Sequence, residues 1–243
     1  MPREVILDFE MIETEPVAEV KKPRRLVEDD TAYYLPMGVF LAFIAIAGHW
    51  PSLYVASYVA RAVIVGVMLW IFRGHYTKIR WNHWWLGVMV GVVGIFQWVG
   101  MQSWLEHHFK FFQPSPDFFD PSKVFPGAGA FWSFVAVRVC GAVLVVPFME
   151  ELFWRDYLWR YVSAPNNFKL AEVGERDWKS FLVVSIAFAT VHGNWGLTAI
   201  IWAMMIGLLL IKTRSLGACI IAHGVTNLLL AVYVLKYRAW SFW

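Results

Sequence analysis

The chain alternates long apolar runs with short polar connections, and this pattern constrains its fold more than any other feature. The runs cover residues 33–49, 53–72, 84–104, 129–160, 180–194, 196–211 and 215–236. Most of them approach the roughly 17 to 25 residues that a helix needs to cross a bilayer. Because backbone polar groups in hydrocarbon must be paired within their own segment, such runs predict helices. The sequence therefore predicts an all-α, polytopic transmembrane helical bundle with about seven spans.

Composition agrees with a lipid environment. Hydrophobic residues make up 59% of the 243 residues and charged residues only 16%, against roughly 45–50% and 25% in soluble proteins. The net charge of +3 is spread over many connections and does not form the concentrated basic face that nucleic acid requires. We therefore expect an integral, multi-pass protein of a cell inner or plasma membrane, with the lipid bilayer as partner and no nucleic acid.

The N-terminal region differs from the rest. Residues 1–32 hold nine of the eighteen carboxylates together with a basic cluster, which is typical of a polar, disordered tail. Placing this tail in the cytoplasm puts most of the lysines and arginines on the inner side, as the positive-inside rule requires. The sequence thus predicts a cytoplasmic tail over 1–32, followed by N-terminal transmembrane helices over 33–128.

Ionisable residues inside a span are costly and mark candidate functional sites. Glu150, His192 and His223 lie in three different apolar runs. Counting from Arg160 at ~1.5 Å per helical residue puts Glu150 roughly 15 Å from the interface. The same count from the nearest basic residue gives about 20 Å for His192 and about 14 Å for His223. The shared depth predicts that three helices bring these groups to one buried site.

Helical spacing adds relationships within each run. Glu151 and Arg155 are four residues apart, so they are expected to pair, while Glu150 points about 100° away and stays free of that pair. His223 and Asn227 lie one turn apart on one face, so both are expected to aim donors at a common point.

Two further residues of the run at 129–160 allow structural predictions, one about the backbone and one about a side chain. Pro147 removes a backbone donor and predicts a kink, and irregular backbone at this depth usually lines a cavity. Arg138 also lies within the run, and we expect its long side chain to extend outward to the interface.

These residues resemble the motifs of the CAAX protease and bacteriocin-processing family, also called the ABI family, of glutamate-type intramembrane proteases. In chain order the three motifs read Glu150-Glu151-Leu-Phe-Trp-Arg155, Phe188-Ala-Thr-Val-His192 and His223-Gly-Val-Thr-Asn227. The resemblance covers about residues 130 to 235, whereas residues 1 to 128 match no family beyond their membrane spans. It implies that residues 129–243 form the catalytic transmembrane region.

The resemblance also implies roles. Glu150 and His192 would activate a water, His223 and Asn227 would stabilise the oxyanion, and Glu151 with Arg155 would support the site. The expected activity is hydrolysis of a peptide bond in a peptide or protein substrate at the membrane, lipidated and C-terminal peptides included. The cut would fall at or near the cytoplasmic half of the bilayer, without a cofactor.

Other interpretations stay open. A divalent metal held by Glu150, His192 and His223 is one, although the His-Glu-x-x-His spacing of metalloproteases is absent. A second is a non-catalytic membrane immunity or scaffold protein that keeps the polar cluster for binding. A third is a proton-coupled transporter, since buried carboxylates and histidines also relay protons, but the chain lacks the repeated halves that transporters often show.

Overall fold

The computed structural model describes residues 29–114 and 118–243. Residues 1–28 of the predicted tail lie outside this part, and the chain is already helical from Asp29. Within the described residues the chain forms seven main helices, joined by connections of different length, and no strand. They are α1 (Asp29–His49), α2 (Tyr54–Ile71), α3 (Trp84–His108), α4 (Ala128–Ser163), α5 (Trp178–Thr190), α6 (Gly196–Thr213) and α7 (Leu216–Tyr237). The predicted all-α bundle is confirmed.

Six of these helices are long and apolar enough to cross a membrane, and α5 is the exception among the described residues. Its 13 residues rise only about 20 Å, less than the ~30 Å of a hydrocarbon core. The number of main helices equals the predicted number of spans, with one of them too short to span alone. The side on which the N-terminus lies stays a prediction.

The helices alternate in direction, which gives the bundle two distinct ends. At the first, Lys169 Nζ donates to Asp29 Oδ2 (2.6 Å) and Gly217 N donates to Arg80 O (3.0 Å). We call this the Lys169 end; α1, α3, α5 and α7 begin there. The opposite end, where α1 meets α2 near Trp50, is called the Trp50 end.

Helix α4 contains a π-helical segment, Gly141–Val145, just before its proline. There Val146 N–H donates to Gly141 O, one residue further along than in an α-helix. The next donor in this pattern would be residue 147, but Pro147 has no N–H. The irregularity predicted at Pro147 is therefore a π-helical turn, and the carbonyl of Ala142 needs a donor from elsewhere.

Glycines let α3 and α7 pack at very short range. A Cβ at Gly87 would lie 2.4 Å from Ala218 O, and a Cβ at Gly91 would lie 2.6 Å from Ala222 O. Close backbone approach through small residues is a usual way for membrane helices to associate. Gly87 meets Ala218 and Gly91 meets Ala222, so the two helices run parallel. This close packing fixes the position of α7 along the bundle, and with it the level at which the polar residues of α7 lie.

Arg160 is buried in the protein near the Lys169 end. Its Nη1 lies 2.6 Å from Asp156 Oδ1, its Nε donates to Ala171 O, and Asp156 also accepts from Tyr33. Arg160, from which the depth of Glu150 was counted, is only 4% exposed because protein groups surround it; the depth of Glu150 in a bilayer stays a prediction. Internal partners satisfy the guanidinium there, so it has no need of water or headgroups.

Candidate active site

Four of the predicted site residues line one cavity inside the bundle. The cavity has a volume of about 120 Å³ and is lined by Glu150 of α4, His192 after α5, and His223 and Asn227 of α7. Its remaining wall is mostly aromatic and aliphatic. Since a water occupies roughly 30 Å³ in the liquid, the space suits a few waters or part of one peptide group.

The carboxylate of Glu150 has no protein donor among the described residues. Its side chain is 8% exposed, and its Oε2 atom is buried without a hydrogen-bond partner. A buried polar atom without a partner is costly, so this oxygen is available to a polar ligand inside the cavity. Glu150 also lines a second cavity, of about 320 Å³, whose other lining residues lie mostly toward the Trp50 end.

His192 lies in the turn that ends α5, and Phe188 orients its ring. Its Nδ1 is 2.7 Å from Phe188 O, and the two rings stack at 4.3 Å with an interplanar angle of 25°. Because a carbonyl can only accept, Nδ1 carries the proton, and Nε2 of the neutral ring is an acceptor. Gly193 follows with φ +53°, a left-handed conformation that glycine adopts without steric cost.

His223 is held by Glu151. The distance from His223 Nδ1 to Glu151 Oε1 is 2.8 Å, and Arg155 Nη1 donates to the same oxygen at 3.3 Å. Glu151 and Arg155 are 0% and 1% exposed, respectively. The pair expected from their spacing is present, but its contact with His223 was not foreseen. The three side chains form a buried polar chain that sets the orientation of the imidazole.

This arrangement restricts what His223 can do. With Nδ1–H directed to Glu151, Nε2 of the neutral ring is an acceptor, as in His192. His223 can donate to an oxyanion from Nε2 only when both ring nitrogens carry protons. Glu151 is the carboxylate that would balance the positive charge of that form.

Asn227 supplies the donor that Ala142 lacks. Its Nδ2 lies 2.7 Å from Ala142 O, the carbonyl that loses its π-helical donor at Pro147. The contact fixes the orientation of the amide, because the carbonyl only accepts. His223 and Asn227 were expected to aim donors at a common point, but their hydrogen bonds to protein go to different partners. The second N–H of Asn227 is the donor that it retains for a ligand.

Sequence reasoning missed two tryptophans of the cavity wall, because it interpreted tryptophan mainly as an interface residue. Trp98 meets His192 edge-on at 5.9 Å and Trp202 meets His223 at 4.6 Å, both measured between ring centroids. The Nε1 of Trp202 is buried with no partner in the described part of the chain. Their positions in the middle of apolar runs, away from both membrane interfaces, were the available signal.

The second cavity contains two arginines to which the sequence gave no role. Arg138 is 6% exposed and donates to Tyr54 through Nη1 at 2.6 Å. The expectation that Arg138 extends outward was therefore wrong, because an aromatic pocket holds the guanidinium inside the bundle. Arg61 of α2 lines the same cavity. A basic residue within an apolar run was the signal for both.

A metal site would need several ligand side chains grouped around one point. Across residues 29–114 and 118–243, no group of three or more His, Cys, Asp or Glu side chains has the geometry to hold a metal ion. Glu150, His192 and His223 are thus neighbours around a cavity without forming such a group.

The fold and the cavity together define a class, namely an integral, multi-pass membrane protein with acid–base side chains buried in its helical bundle. Residues 131–229 match the family described as type II CAAX prenyl endopeptidase Rce1-like. The match confirms the family resemblance given by the three motifs, and it spans all six predicted site residues. In general terms it supports a CAAX-type intramembrane protease. No curated protein and no solved structure matches the chain.

Proposed function

We propose that this protein is an intramembrane endopeptidase that hydrolyses a peptide bond of a membrane-associated peptide by glutamate- and histidine-activated water. One observation carries the proposal: the unpartnered carboxylate of Glu150 shares a cavity with His192, His223 and Asn227. A carboxylate that other protein groups already engage would be less free to bind and deprotonate a water.

In the proposed reaction a water lies between Glu150 and Nε2 of His192. Glu150 takes a proton from the water as its oxygen attacks the carbonyl carbon of the substrate. The oxyanion of the tetrahedral intermediate accepts hydrogen bonds from the free N–H of Asn227 and from doubly protonated His223. Glu150 then gives its proton to the leaving amine as the C–N bond breaks.

Glu151 and Arg155 are positioning residues in this scheme. The Glu151 carboxylate holds His223 through Nδ1 and thereby leaves Nε2 as the only ring nitrogen that can act on the substrate. Arg155 fixes Glu151 in turn. The carbonyl of Phe188 holds His192 through Nδ1 in the same way and leaves Nε2 of that ring to act on the water.

Access to the site is proposed from the Trp50 end. The 320 Å³ cavity shares Glu150, His192 and Asn227 with the smaller cavity and continues toward Phe242 and Trp243. If the N-terminus is cytoplasmic, this path lies on the non-cytoplasmic side of Glu150. The sequence had suggested cleavage near the cytoplasmic half, so the geometry favours a different direction of access.

The proposal is tested with protein purified in detergent and a library of fluorogenic peptides, comparing the wild type with Glu150→Gln. We expect at least a 10²-fold loss of hydrolysis, the usual contribution of a general base, with an unchanged melting temperature. The matched control is Glu172→Gln, which removes an exposed carboxylate paired with Arg214 and should retain the wild-type rate. Full activity of Glu150→Gln would end the proposal.

The same variant separates catalysis from a scaffold role. A phenotype that wild-type protein rescues should not be rescued by Glu150→Gln if hydrolysis is the function. Equal rescue would favour the non-catalytic interpretation. Peptides that co-purify with Glu150→Gln then identify the substrate and, after mapping, the bond that is cut.

A further inference from the structure

The second cavity contains positive charge without a matching negative charge. Arg61 and Arg138 both line it, and Glu150 is the only Asp or Glu side chain among its lining residues. In the described part of the chain no Asp or Glu lies within ion-pair distance of either arginine. Charged groups inside a membrane protein usually pair with one another or mark a ligand path, so this imbalance requires an explanation.

Aromatic rings hold the two guanidinium groups near each other. The ring of Tyr58 lies 4.3 Å from the guanidinium carbon of Arg61 and 4.6 Å from that of Arg138. Arg138 also faces Trp243 at 4.9 Å and Arg61 faces Phe40 at 4.9 Å. Cation–π contacts orient a guanidinium and offset part of its desolvation. They do not use its in-plane N–H donors.

Those donors are largely free to meet a ligand. Within residues 29–114 and 118–243, Nη1 of Arg138 donates to the hydroxyl of Tyr54 at 2.6 Å, and Arg61 has one side-chain hydrogen bond, to Tyr58. A guanidinium presents up to five N–H donors in a planar fork, the geometry that matches a carboxylate. Two such groups around one ring are well suited to bind a single anion.

We propose that Arg61 and Arg138 bind a carboxylate of the substrate peptide and so position its scissile bond toward Glu150. This inference rests on the proposed function, because the two cavities meet at Glu150, His192 and Asn227. A peptide held by its carboxylate at the arginines would extend along the larger cavity into the smaller one. The arginines lie on α2 and on the first part of α4, so the specificity site depends on the N-terminal helices.

The test measures binding in the Glu150→Gln protein, which should not consume the ligand. The probes are pools of N-acetylated hydrophobic tetrapeptides with free C-terminal carboxylates and the same peptides as C-terminal amides. Titration in detergent micelles is followed by tryptophan fluorescence. We expect the acids to bind roughly tenfold or more tightly than the amides, as for hydrogen bonds to charged groups.

Substitutions assign this preference to the arginines. Arg61→Gln and Arg138→Gln should each reduce the acid-to-amide ratio toward one, whereas Arg138→Lys should retain part of it. The matched control is Arg73→Gln, an exposed arginine that contacts Trp70, and it should keep the full ratio. If Arg138→Gln fails to fold by its melting transition, Arg61→Gln carries the test.

The proposal is overturned if acids and amides bind equally, if neither binds, or if the preference survives both Arg→Gln substitutions. A third arm adds phosphatidic acid to the micelles. Arginine-dependent binding of this lipid, with no acid preference among the peptides, would identify a lipid phosphate site and also overturn the proposal. A wild type that binds acids preferentially but cleaves no peptide would contradict only the proposed function. Cleavage with equal efficiency for acids and amides would contradict only this inference.

Discussion

The imidazole of His223 is held by the carboxylate of Glu151, with 2.8 Å between Nδ1 and Oε1. The contact joins α4 to α7 across the wall of the central cavity and links the first sequence motif to the third. The two side chains are only 7% and 0% exposed, so the contact takes the place of hydration at Nδ1 of His223 and Oε1 of Glu151.

Removing the acceptor at 151 should affect both stability and turnover. Glu151→Ala leaves Arg155 and the Nδ1 of His223 buried without a partner, and breaking a buried pair in this way typically costs about 3–5 kcal/mol. Glu151→Gln keeps an acceptor oxygen, so it should fold while turning over more slowly. Denaturation in detergent and the rate of hydrolysis measure the two effects. Wild-type turnover in Glu151→Ala would show that the orientation of His223 does not depend on this contact.

The proton positions of the two histidines can be read directly. We expect ¹⁵N spectra of labelled protein to show the proton on Nδ1 in both neutral rings, because Glu151 and the carbonyl of Phe188 can only accept it. In Glu151→Gln the amide can also donate to Nδ1, so His223 should populate the other tautomer while His192 stays unchanged. A proton on Nε2 of His223 in the wild type would contradict the proposed orientation.

Asn227 and Pro147 should be coupled energetically through the carbonyl of Ala142. Asn227→Leu leaves that carbonyl without a donor, which should cost about 1–3 kcal/mol of unfolding free energy. Pro147→Ala restores the backbone N–H that the π-helical pattern would direct to the carbonyl of Ala142. The double variant should therefore be more stable than the sum of the single changes, a non-additivity that a double-mutant cycle measures. Strict additivity would show that the two donors do not compete for one acceptor.

Packing between α3 and α7 should tolerate no side chain at Gly91. A Cβ there would lie 2.6 Å from Ala222 O and 2.7 Å from Val225 Cβ, so Gly91→Ala must separate the helices at a cost of about 1–3 kcal/mol. Hydrolysis should fall as well, because α7 carries His223. Gly100→Ala is the control on the same helix, since nothing lies within 4 Å of its Cβ. Equal melting temperatures for the two variants would argue against close packing at this level.

The start of α5 should respond to acid through its N-cap, Asp177. Burial raises the pKa of Asp177, but hydrogen bonds from Ser180, Ser163 and backbone N–H groups outweigh it and lower the pKa below its usual value. The stabilisation is therefore complete above the unfolded pKa of about 3.9 and is lost as the pH falls through the lower folded value.

Two variants of Asp177 test this expectation. Asp177→Ala should cost about 1 kcal/mol at pH 7, and its difference from the wild type should begin to shrink below about pH 4, where the carboxyl of the unfolded chain takes up a proton, and should be lost once the pH falls below the lowered pKa of the folded carboxyl. Asp177→Asn keeps a capping oxygen and should stay near wild-type stability at pH 7. Melting temperatures across this pH range provide the measurement. A difference between Ala and wild type that is independent of pH would exclude the carboxylate as its source.

The residues that carry the candidate site could be selected from the sequence because an ionisable group within an apolar run is rare and costly. Glu150, His192 and His223 stand out for this reason alone. The four-residue spacing of Glu151 and Arg155 gave their contact correctly, since it depends only on local helix geometry. The burial of Arg160 among protein groups was not foreseen, because whether a charged side chain faces the outside or the interior of the bundle is not a local property.

The linear pattern of apolar runs thus determined that this chain is an all-helical membrane protein, because backbone polar groups in lipid leave few other structures. Only the tertiary structure decided which side chains meet across the bundle. The pairs are His223 with Glu151, Asn227 with Ala142, and Arg138 with Tyr54. Each of these contacts joins groups on different helices. Their geometry depends on the height and rotation of each helix, which close packing such as that at Gly91 sets and which no single segment encodes.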